Sequence, residues 1–387
     1  MKLFHLSDLH IGKTLNGYSL AENQELVLGQ IIHYAKKERP DAILICGDIY
    51  DRSVPSGEAY QMFDRFLTDL SEIQPEIPVL LIAGNHDSPQ RLAYAEQFLE
   101  KHHIYISVMP PQADEEYMKK ITLTDEFGSV HFYLLPFTKP GYLRGMTDAP
   151  TDSYEAAVQY LIQREHIDKN SRNILLSHQF YTGHSQEMEL CESEQAVIMA
   201  GGLDKISCDV VKDFDYVALG HLHGKQQAGY EHIRYCGTPF KYSVSEEKHN
   251  KSITAVTINR KEEGIQLEYL PLQGKQDVRK IRGTFDEVME PATEENRHDF
   301  VSVTITDEKE PYHFREKLKE TYDCLLEVRV DNIRTREKLS DTTEEIRQLS
   351  PMEAFSLFYE TVNHTAMTEE EQAVMEKIFD QVQEVEV

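Results

Sequence analysis

Short apolar runs recur along the chain, each closed by a glycine or a polar pair: residues 2–6, 42–46, 79–83, 130–135, 173–176, 216–219, 233–236 and 252–258. Runs of this length between turn-forming residues predict strands, and their unbroken apolar character predicts that most are buried on both faces. Between the early runs lie 21–39, 56–73 and 89–102, where apolar residues return every three or four positions, the period of a helix with one buried side. Strand, helix and strand in alternation predict an α/β core.

The pattern changes after about residue 275. From 278 to 330 it reads strand, helix, strand, helix, strand, with Thr284 and Glu287 spaced as a capping box at the first helix. Residues 331–349 are mostly polar and lack sustained periodicity, so they predict a linker. Two amphipathic helices follow. Ser350, Pro351 and Glu353 make a helix start, ahead of a stripe of Phe355, Phe358, Tyr359 and Val362. Thr368 to Glu371 repeats the capping pattern, ahead of Val374, Ile378, Val382 and Val385.

The chemistry sits where the early runs end. Ser7-Asp8-Leu9-His10 follows the first, Gly47-Asp48 the second and Gly84-Asn85-His86-Asp87 the third; later runs lead into Ser177-His178 and Gly220-His221-Leu222-His223. In α/β sheets the C-terminal edge is where loops converge on a crevice, so these groups are predicted to meet. Imidazole and carboxylate suit manganese, iron or zinc, and the amide oxygen of Asn85 adds a neutral ligand. Asp8 and His10 are two apart, as are His221 and His223, so in extended backbone each pair points to one side. Asp48 can bridge two ions. Two ions about 3.5–4 Å apart can hold a phosphoryl oxygen, activate water and stabilise a leaving oxygen without a covalent enzyme intermediate. Any one of these short motifs is unspecific; their occurrence in order, each after an apolar run, predicts a metal centre. Gly12-Lys13-Thr14 imitates the end of a phosphate-binding P-loop, but that loop needs a glycine where Ser7 stands, so nucleoside triphosphate hydrolysis is not expected.

Composition narrows the setting. The 387 residues are 40% hydrophobic and 28% charged, a soluble globular balance, with no apolar run near the roughly 20 residues that span a bilayer. The opening residues lack the order of a signal peptide, which favours the cytoplasm. Cys46, Cys191, Cys208, Cys236 and Cys324 are scattered singly and read as reduced thiols. A net charge of −27 weighs against binding nucleic acid through a broad basic surface. Part of that charge is local, since residues 341–387 hold twelve acidic and two basic residues, and bound cations would offset the site carboxylates. Arg52, Arg91 and Lys225, near the predicted site edge, are candidates for phosphate contacts.

The series Asp8/His10, Gly47-Asp48, Gly84-Asn85-His86-Asp87, His178 and His221/His223 resembles the calcineurin-like metallophosphoesterase superfamily over roughly residues 1–270. The opening Met-Lys-Leu-Phe-His-Leu-Ser-Asp-Leu-His-Ile-Gly and Gly47-Asp48-Ile49-Tyr50-Asp51-Arg52 are similar to its bacterial nuclease subunits, which extends the likeness to the C-terminus. The resemblance implies a four-layer αββα fold, a β-sandwich flanked by helices, with a small α/β capping domain and C-terminal helices. It implies a nuclease domain over 1–275, a capping domain over 276–332, a linker over 333–349 and partner-binding helices over 350–387. It further implies two manganese ions, one on Asp8, His10, Asp48 and His223 and one on Asp48, Asn85, His178 and His221. His86 then faces the scissile phosphate as the catalytic group, with Asp87 placed to orient its ring. Asp51 stands where archaeal members carry a histidine, and is a supporting group.

The implied activity is DNA cleavage, as 3'–5' exonuclease on duplex ends and endonuclease on single strands or hairpins, in recombination, repair and replication. The implied partners are DNA and a coiled-coil ATPase that receives Phe355, Phe358, Tyr359, Val374, Ile378 and Val382, in a homodimer within a heterotetramer. Two other functions compete: a small-molecule phosphodiesterase or nucleotidase using the same metals, and a non-catalytic interaction module that retains the fold.

Overall fold

The computed structural model describes residues 1–183, 188–192, 194, 205–290, 296–336, 351–363, 365–368 and 371–375. The chain divides into two compact units. One is Met1–Lys280 with Glu294–Ser302 and Tyr322–Glu327; the other is Ile281–Thr293 with Val303–Thr321 and Val328–Val387.

The first unit carries β1 (Lys2–Leu6), β2 (Ala42–Cys46), β3 (Val79–Ile82), β4 (Ile104–Ser107), β5 (Lys119–Asp125), β6 (Gly128–Leu135), β7 (Arg172–His178), β8 (Tyr216–Gly220), β9 (Gln226–Ala228), β10 (Tyr230–Tyr235), β11 (Ser252–Ile258) and β12 (Ile265–Pro271). They form two six-stranded sheets, ordered β12-β11-β1-β2-β3-β4 and β9-β10-β8-β7-β6-β5. In the first, β1, β2, β3 and β4 run parallel and β11 and β12 are antiparallel to their neighbours; in the second, the four inner strands run parallel and the edge strands β5 and β9 are antiparallel to theirs.

Side-chain alternation explains why the parallel strands read as unbroken apolar runs. Leu3, Leu44, Cys46, Leu80 and Ile82 of the first sheet meet Phe132, Leu134, Ile174, Leu176 and Ala218 of the second in one buried layer. The alternate residues Phe4, Leu6, Ile43, Ile45 and Leu81 face outward onto helices α1 (Ala21–Glu38) and α2 (Gly57–Ser71), through Val27, Ile31, Phe63 and Phe66. On the far side Tyr133, Leu135, Leu175 and Val217 pack on Val158 and Leu161 of α3 (Tyr154–Arg164). Helix, sheet, sheet and helix give the four layers that the resemblance implied.

Two sequence expectations differ. Residues 89–102 are not one helix: turns over Pro89–Leu92 and Glu96–Glu100 are separated by Ala95, whose left-handed φ of 61° breaks the hydrogen-bond ladder. Strand β5, an edge strand exposed on alternate residues, has no apolar run to announce it.

Strands β13 (Val278–Gly283), β14 (Phe300–Ile305) and β15 (Cys324–Val330) form a three-stranded sheet in that order, with α4 (Phe285–Met289) and α5 (Phe314–Thr321) between them in sequence. The Thr284–Glu287 capping box opens α4. Helix α6 (Pro351–Asn363) leaves Phe358 and Val362 exposed at 61% and 58%. Residues 371–375 are helical, Thr368 Oγ1 accepts the Glu371 N–H, and Val374 is exposed. Ile378 and Val382 lie outside the described residues, as do residues 337–350. Among the described residues no helix is long and apolar enough to cross a membrane, and the five cysteines are unpaired.

Candidate metal centre

The parallel pairing of β1 with β2 continues past the strand ends. Asp8 N–H donates to Gly47 O (2.9 Å), His10 N–H to Asp48 O (3.0 Å) and Ile11 N–H to Ile49 O (2.9 Å). This zips the two loops together and lays Asp8 and His10 beside Asp48. The backbone here is not extended, contrary to the spacing argument: Asp8, His10 and Asp48 adopt left-handed φ values of 52°, 43° and 50°, and His221 has φ 102°. Non-glycine residues held in this region are sparse and concentrate at functional sites. In the second sheet, Gly220 pairs with His178, so the β8 loop leaves level with the end of β7.

The sheets deliver these loops to one place. Asp8 accepts the His221 N–H on both carboxylate oxygens (3.0 and 3.1 Å), and Asp48 accepts the His86 N–H (2.8 Å). His178 donates Nδ1–H to the Cys46 carbonyl (2.7 Å), which turns Nε2 to within 3.0 Å of Asn85 Oδ1 and 3.4 Å of Asp48. His221 Nδ1 lies 3.1 Å from the same Asn85 oxygen. Ligand atoms of Asp8, His10 and His223 lie within 4.8 Å of one another, as do those of Asp8, Asp48 and His178. His10, His86 and Asp51 make a third such group on the outer side.

Burial sets the electrostatics. It pushes Asp8 up, aided by Asp48. Burial would raise Asp48 as well, but His178 and His10 outweigh it and hold it well below the usual range. Burial would lower His178, yet Asp48 and Asp8 hold it up at about 9. Burial drives His10 well below the usual histidine range and His221 to about 3, which leaves both as neutral imidazoles with a lone pair to offer. Among the described residues neither ring nitrogen of His10 has a hydrogen-bond partner, although both are buried. Buried polar atoms are almost always satisfied. Two buried carboxylates, unpartnered imidazole nitrogens and a neutral amide oxygen are a donor set that fits divalent cations.

His86 lies at the half-buried rim, with its ring centroid 4.9 Å from that of His10. Its Nδ1–H donates to the backbone carbonyl of Asp51 (2.8 Å). Asp87 does not orient that ring as the sequence suggested; its carboxylate accepts the backbone N–H groups of Ile49 (3.1 Å), Tyr50 (3.1 Å) and Gly84 (2.9 Å), locking the second and third loops together. The Asp51 carboxylate pairs with Lys13 (2.6 Å). Of the basic candidates, Arg52 and Arg91 are exposed, while Lys225 is held by Ser252 Oγ (3.2 Å) and the face of Tyr269 (3.9 Å).

Two glycines are required by close approach rather than by turns. A Cβ at Gly84 would meet Asp48 Oδ1 at 2.2 Å, and one at Gly220 would meet the Cys46 carbonyl at 1.8 Å, where His178 is anchored. Sequence reasoning missed a further layer of supports. Gln24 on α1 donates to His10 O (2.7 Å) and accepts from Gly12 N–H (3.0 Å), the Tyr242 hydroxyl donates to Leu9 O, and Glu246 accepts from the His223 ring (3.1 Å). None of the three belongs to a motif, and Gln24 sits on a helix face that reads as core.

Residues 1–225 match the family described as calcineurin-like phosphoesterase, and residues 274–363 match the one described as type 5 capsule protein repressor C-terminal domain. The chain is similar to proteins named as the D subunit of the nuclease SbcCD, from Staphylococcus saprophyticus and Staphylococcus epidermidis. Each is 29% identical, the first over 98% of this chain and 97% of that protein, the second over 84% of each. Among solved structures, TT1561 of Thermus thermophilus is 12% identical at a TM-score of 0.39, covering 69% of this chain and 98% of that one. With the loops of its sandwich edge inside the matched span of 1–225, the chain belongs to the calcineurin-like phosphoesterase family.

Proposed function

We propose that the chain is a metal-dependent DNA nuclease, the cutting subunit of a complex with an SbcC-like ATPase. The family implies a divalent metal. The observation that carries the finer reading is the meeting of buried Asp8, Asp48, His10, His178 and His223 with the Asn85 amide at one edge of the sandwich, with the His10 ring nitrogens lacking a hydrogen-bond partner among the described residues. Asp8, His10, Asp48 and His223 would hold one manganese ion, and Asp48, Asn85, His178 and His221 would hold the other. Bound ions there supply the Lewis acidity that polarises a phosphodiester and lowers the pKa of water.

The chain's own groups do the rest. The Cys46 carbonyl keeps the proton of His178 on Nδ1, so Nε2 is the ligand atom. The Asp51 carbonyl does the same for His86, leaving Nε2 to face the phosphate. In its cationic form His86 hydrogen-bonds the phosphoryl oxygen or gives the Nε2 proton to the leaving oxygen. Arg52 and Arg91, both exposed, steer the DNA backbone. The reading as a nuclease, with DNA as the substrate, is supported by two relatives that bear the nuclease name and are matched over 97% and 84% of their length. The activity is 3'–5' exonuclease on duplex ends and endonuclease on hairpins, in recombination, repair and replication in the cytoplasm. Residues 276–332 make up the capping domain and 350–387 dock on the ATPase, in a heterotetramer built on a homodimer of this chain.

The test is cleavage of end-labelled duplex and hairpin DNA with Mn2+ by wild type, Asp48→Ala and His86→Ala. Wild type is expected to cut. Asp48→Ala should lose metal and activity together, and His86→Ala should keep metal and lose about 100-fold or more in rate. A wild type that leaves DNA whole yet hydrolyses small phosphodiesters refutes the nuclease reading, and one that binds no divalent metal refutes the centre itself.

A further inference from the structure

Behind the metal centre lies a buried ion pair with no place in the ligand set. Glu246, wholly buried, directs Oε1 at His223 Nδ1 (3.1 Å) and also accepts there from Tyr242 N–H (3.2 Å). Its Oε2 accepts from Lys251 Nζ (2.6 Å). The ammonium of Lys251 also donates to the carbonyl of His223 (3.0 Å) and to Thr238 Oγ1 (2.5 Å), with His249 Nδ1 farther off at 3.4 Å. Glu194, also buried, accepts the backbone N–H of His223. Charged side chains therefore grip His223 at ring, carbonyl and amide.

Burying an ion pair costs desolvation that an apolar pair of the same size avoids, so stability alone does not explain it. Its geometry does. A carboxylate can only accept, so the imidazole facing it carries its proton on Nδ1, and the lone pair is on Nε2. A carboxylate behind a ligating histidine fixes the ring and makes the ligand nitrogen more basic. His178 has only a carbonyl in that position, and His10 has no hydrogen-bond partner on either nitrogen among the described residues. Of the imidazoles at the site, His223 is the one paired with a carboxylate that is itself neutralised by a buried cation.

We propose that Glu246 and Lys251 act as a positioning couple that holds His223 in its Nδ1–H form and presents Nε2 to the ion shared with Asp8 and His10. The role rests on the metal-centre reading above. Lys251 hydrogen-bonds both the second oxygen of Glu246 and the His223 carbonyl, so ring and main chain are set together.

The test uses the full chain and two readouts besides activity: the His223 ring proton seen by 15N-edited NMR without metal, assigned by its loss in His223→Gln, and Mn2+ binding by calorimetry. Wild type is expected to show a slowly exchanging proton on His223 Nδ1. Glu246→Gln/Lys251→Met, which removes both charges, is expected to lose that signal and to bind one of two Mn2+ ions about 10- to 100-fold more weakly, with the other unchanged. Should the double variant fail to fold, Glu246→Gln alone is read for the same two changes. A wild-type His223 with no proton on Nδ1, or a folded variant that binds both ions as wild type does, overturns the couple and leaves the metal centre standing. A wild type that binds no Mn2+ overturns the centre and with it the role of the couple there, whatever the ring proton shows.

Discussion

Gly84→Ala puts the centre under a defined load. Gly84 has no left-handed φ, so an alanine there meets no backbone penalty, and the whole effect is steric. The new Cβ would fall 2.2 Å from Asp48 Oδ1 and 2.3 Å from Asp48 N, where real contacts do not come under 3.0 Å. One side has to give by about 1 Å, and because a backbone nitrogen is in the way, rotating the carboxylate does not relieve it. Asp48 is the proposed bridging ligand and also the acceptor for His86 N–H, so it and the proposed catalytic group move together. A misplacement of about 1 Å costs on the order of 100-fold in rate, or about 2.7 kcal/mol of barrier. Overpacking costs about 1–3 kcal/mol of stability. The assay is the initial rate of Mn2+-dependent hydrolysis of bis(p-nitrophenyl) phosphate and of end-labelled duplex, with calorimetric Mn2+ titration and thermal unfolding alongside. Gly29→Ala is the control: it lies exposed in α1 with nothing within 4 Å of its Cβ, and should stabilise by about 0.5–1 kcal/mol with no change in rate. If Gly84→Ala cuts and binds metal as Gly29→Ala does, Asp48 is not where the chemistry depends on it.

Asp125 and Arg172 form a two-pronged pair (2.5 and 2.9 Å) in which Arg172 is buried. That hydrogen bonding, opposed by burial, holds Asp125 well below the usual carboxylate range. A depressed carboxylate stabilises above its unfolded pKa of about 4, and the gain fades as pH falls through the folded value. Asp125→Asn should therefore cost about 3 kcal/mol in urea unfolding at pH 7 and distinctly less at pH 3; an equal cost at both would show the pair is not electrostatic. Phe358→Asp/Val362→Asp alters the exposed stripe of α6, and should abolish co-purification with an SbcC-like ATPase while leaving Mn2+-dependent cleavage of simple substrates within about twofold of wild type. Retained association would remove that stripe from the docking surface.

What could be read in advance follows from what leaves a local mark. Strands β1, β2 and β11 have the bounds their apolar runs predict, because strands buried on both faces cannot hide among polar residues. The loops after β1, β2, β3, β7 and β8 were legible for the same reason: each run stops at a residue that must leave the core. Strand β5 was not, since an edge strand with one wet face looks like a loop. Nor was the backbone of Asp8 and His10: the two-residue spacing suits an extended chain equally well, and only the hydrogen bonds to Gly47 and Asp48 reveal the left-handed path.

The supporting residues were hidden for a different reason. A ligand's type is dictated by the ion, so it stands in the sequence as a histidine or aspartate whatever surrounds it. A support is dictated by one atom of another residue, and any group that supplies that atom will serve. His178 is oriented by a carbonyl of Cys46, 132 positions away, which carries no information about which side chain stands there. Gly84 and Gly220 act by having no side chain at all. Asp87 shows how far proximity misleads: next to His86 in sequence, it braces the loops of Ile49 and Tyr50 instead. The motifs therefore describe what the centre can bind, while its geometry is held by residues whose only signature is where the fold puts them, which is why Gly84→Ala and the Glu246 variants probe the centre harder than another ligand substitution would.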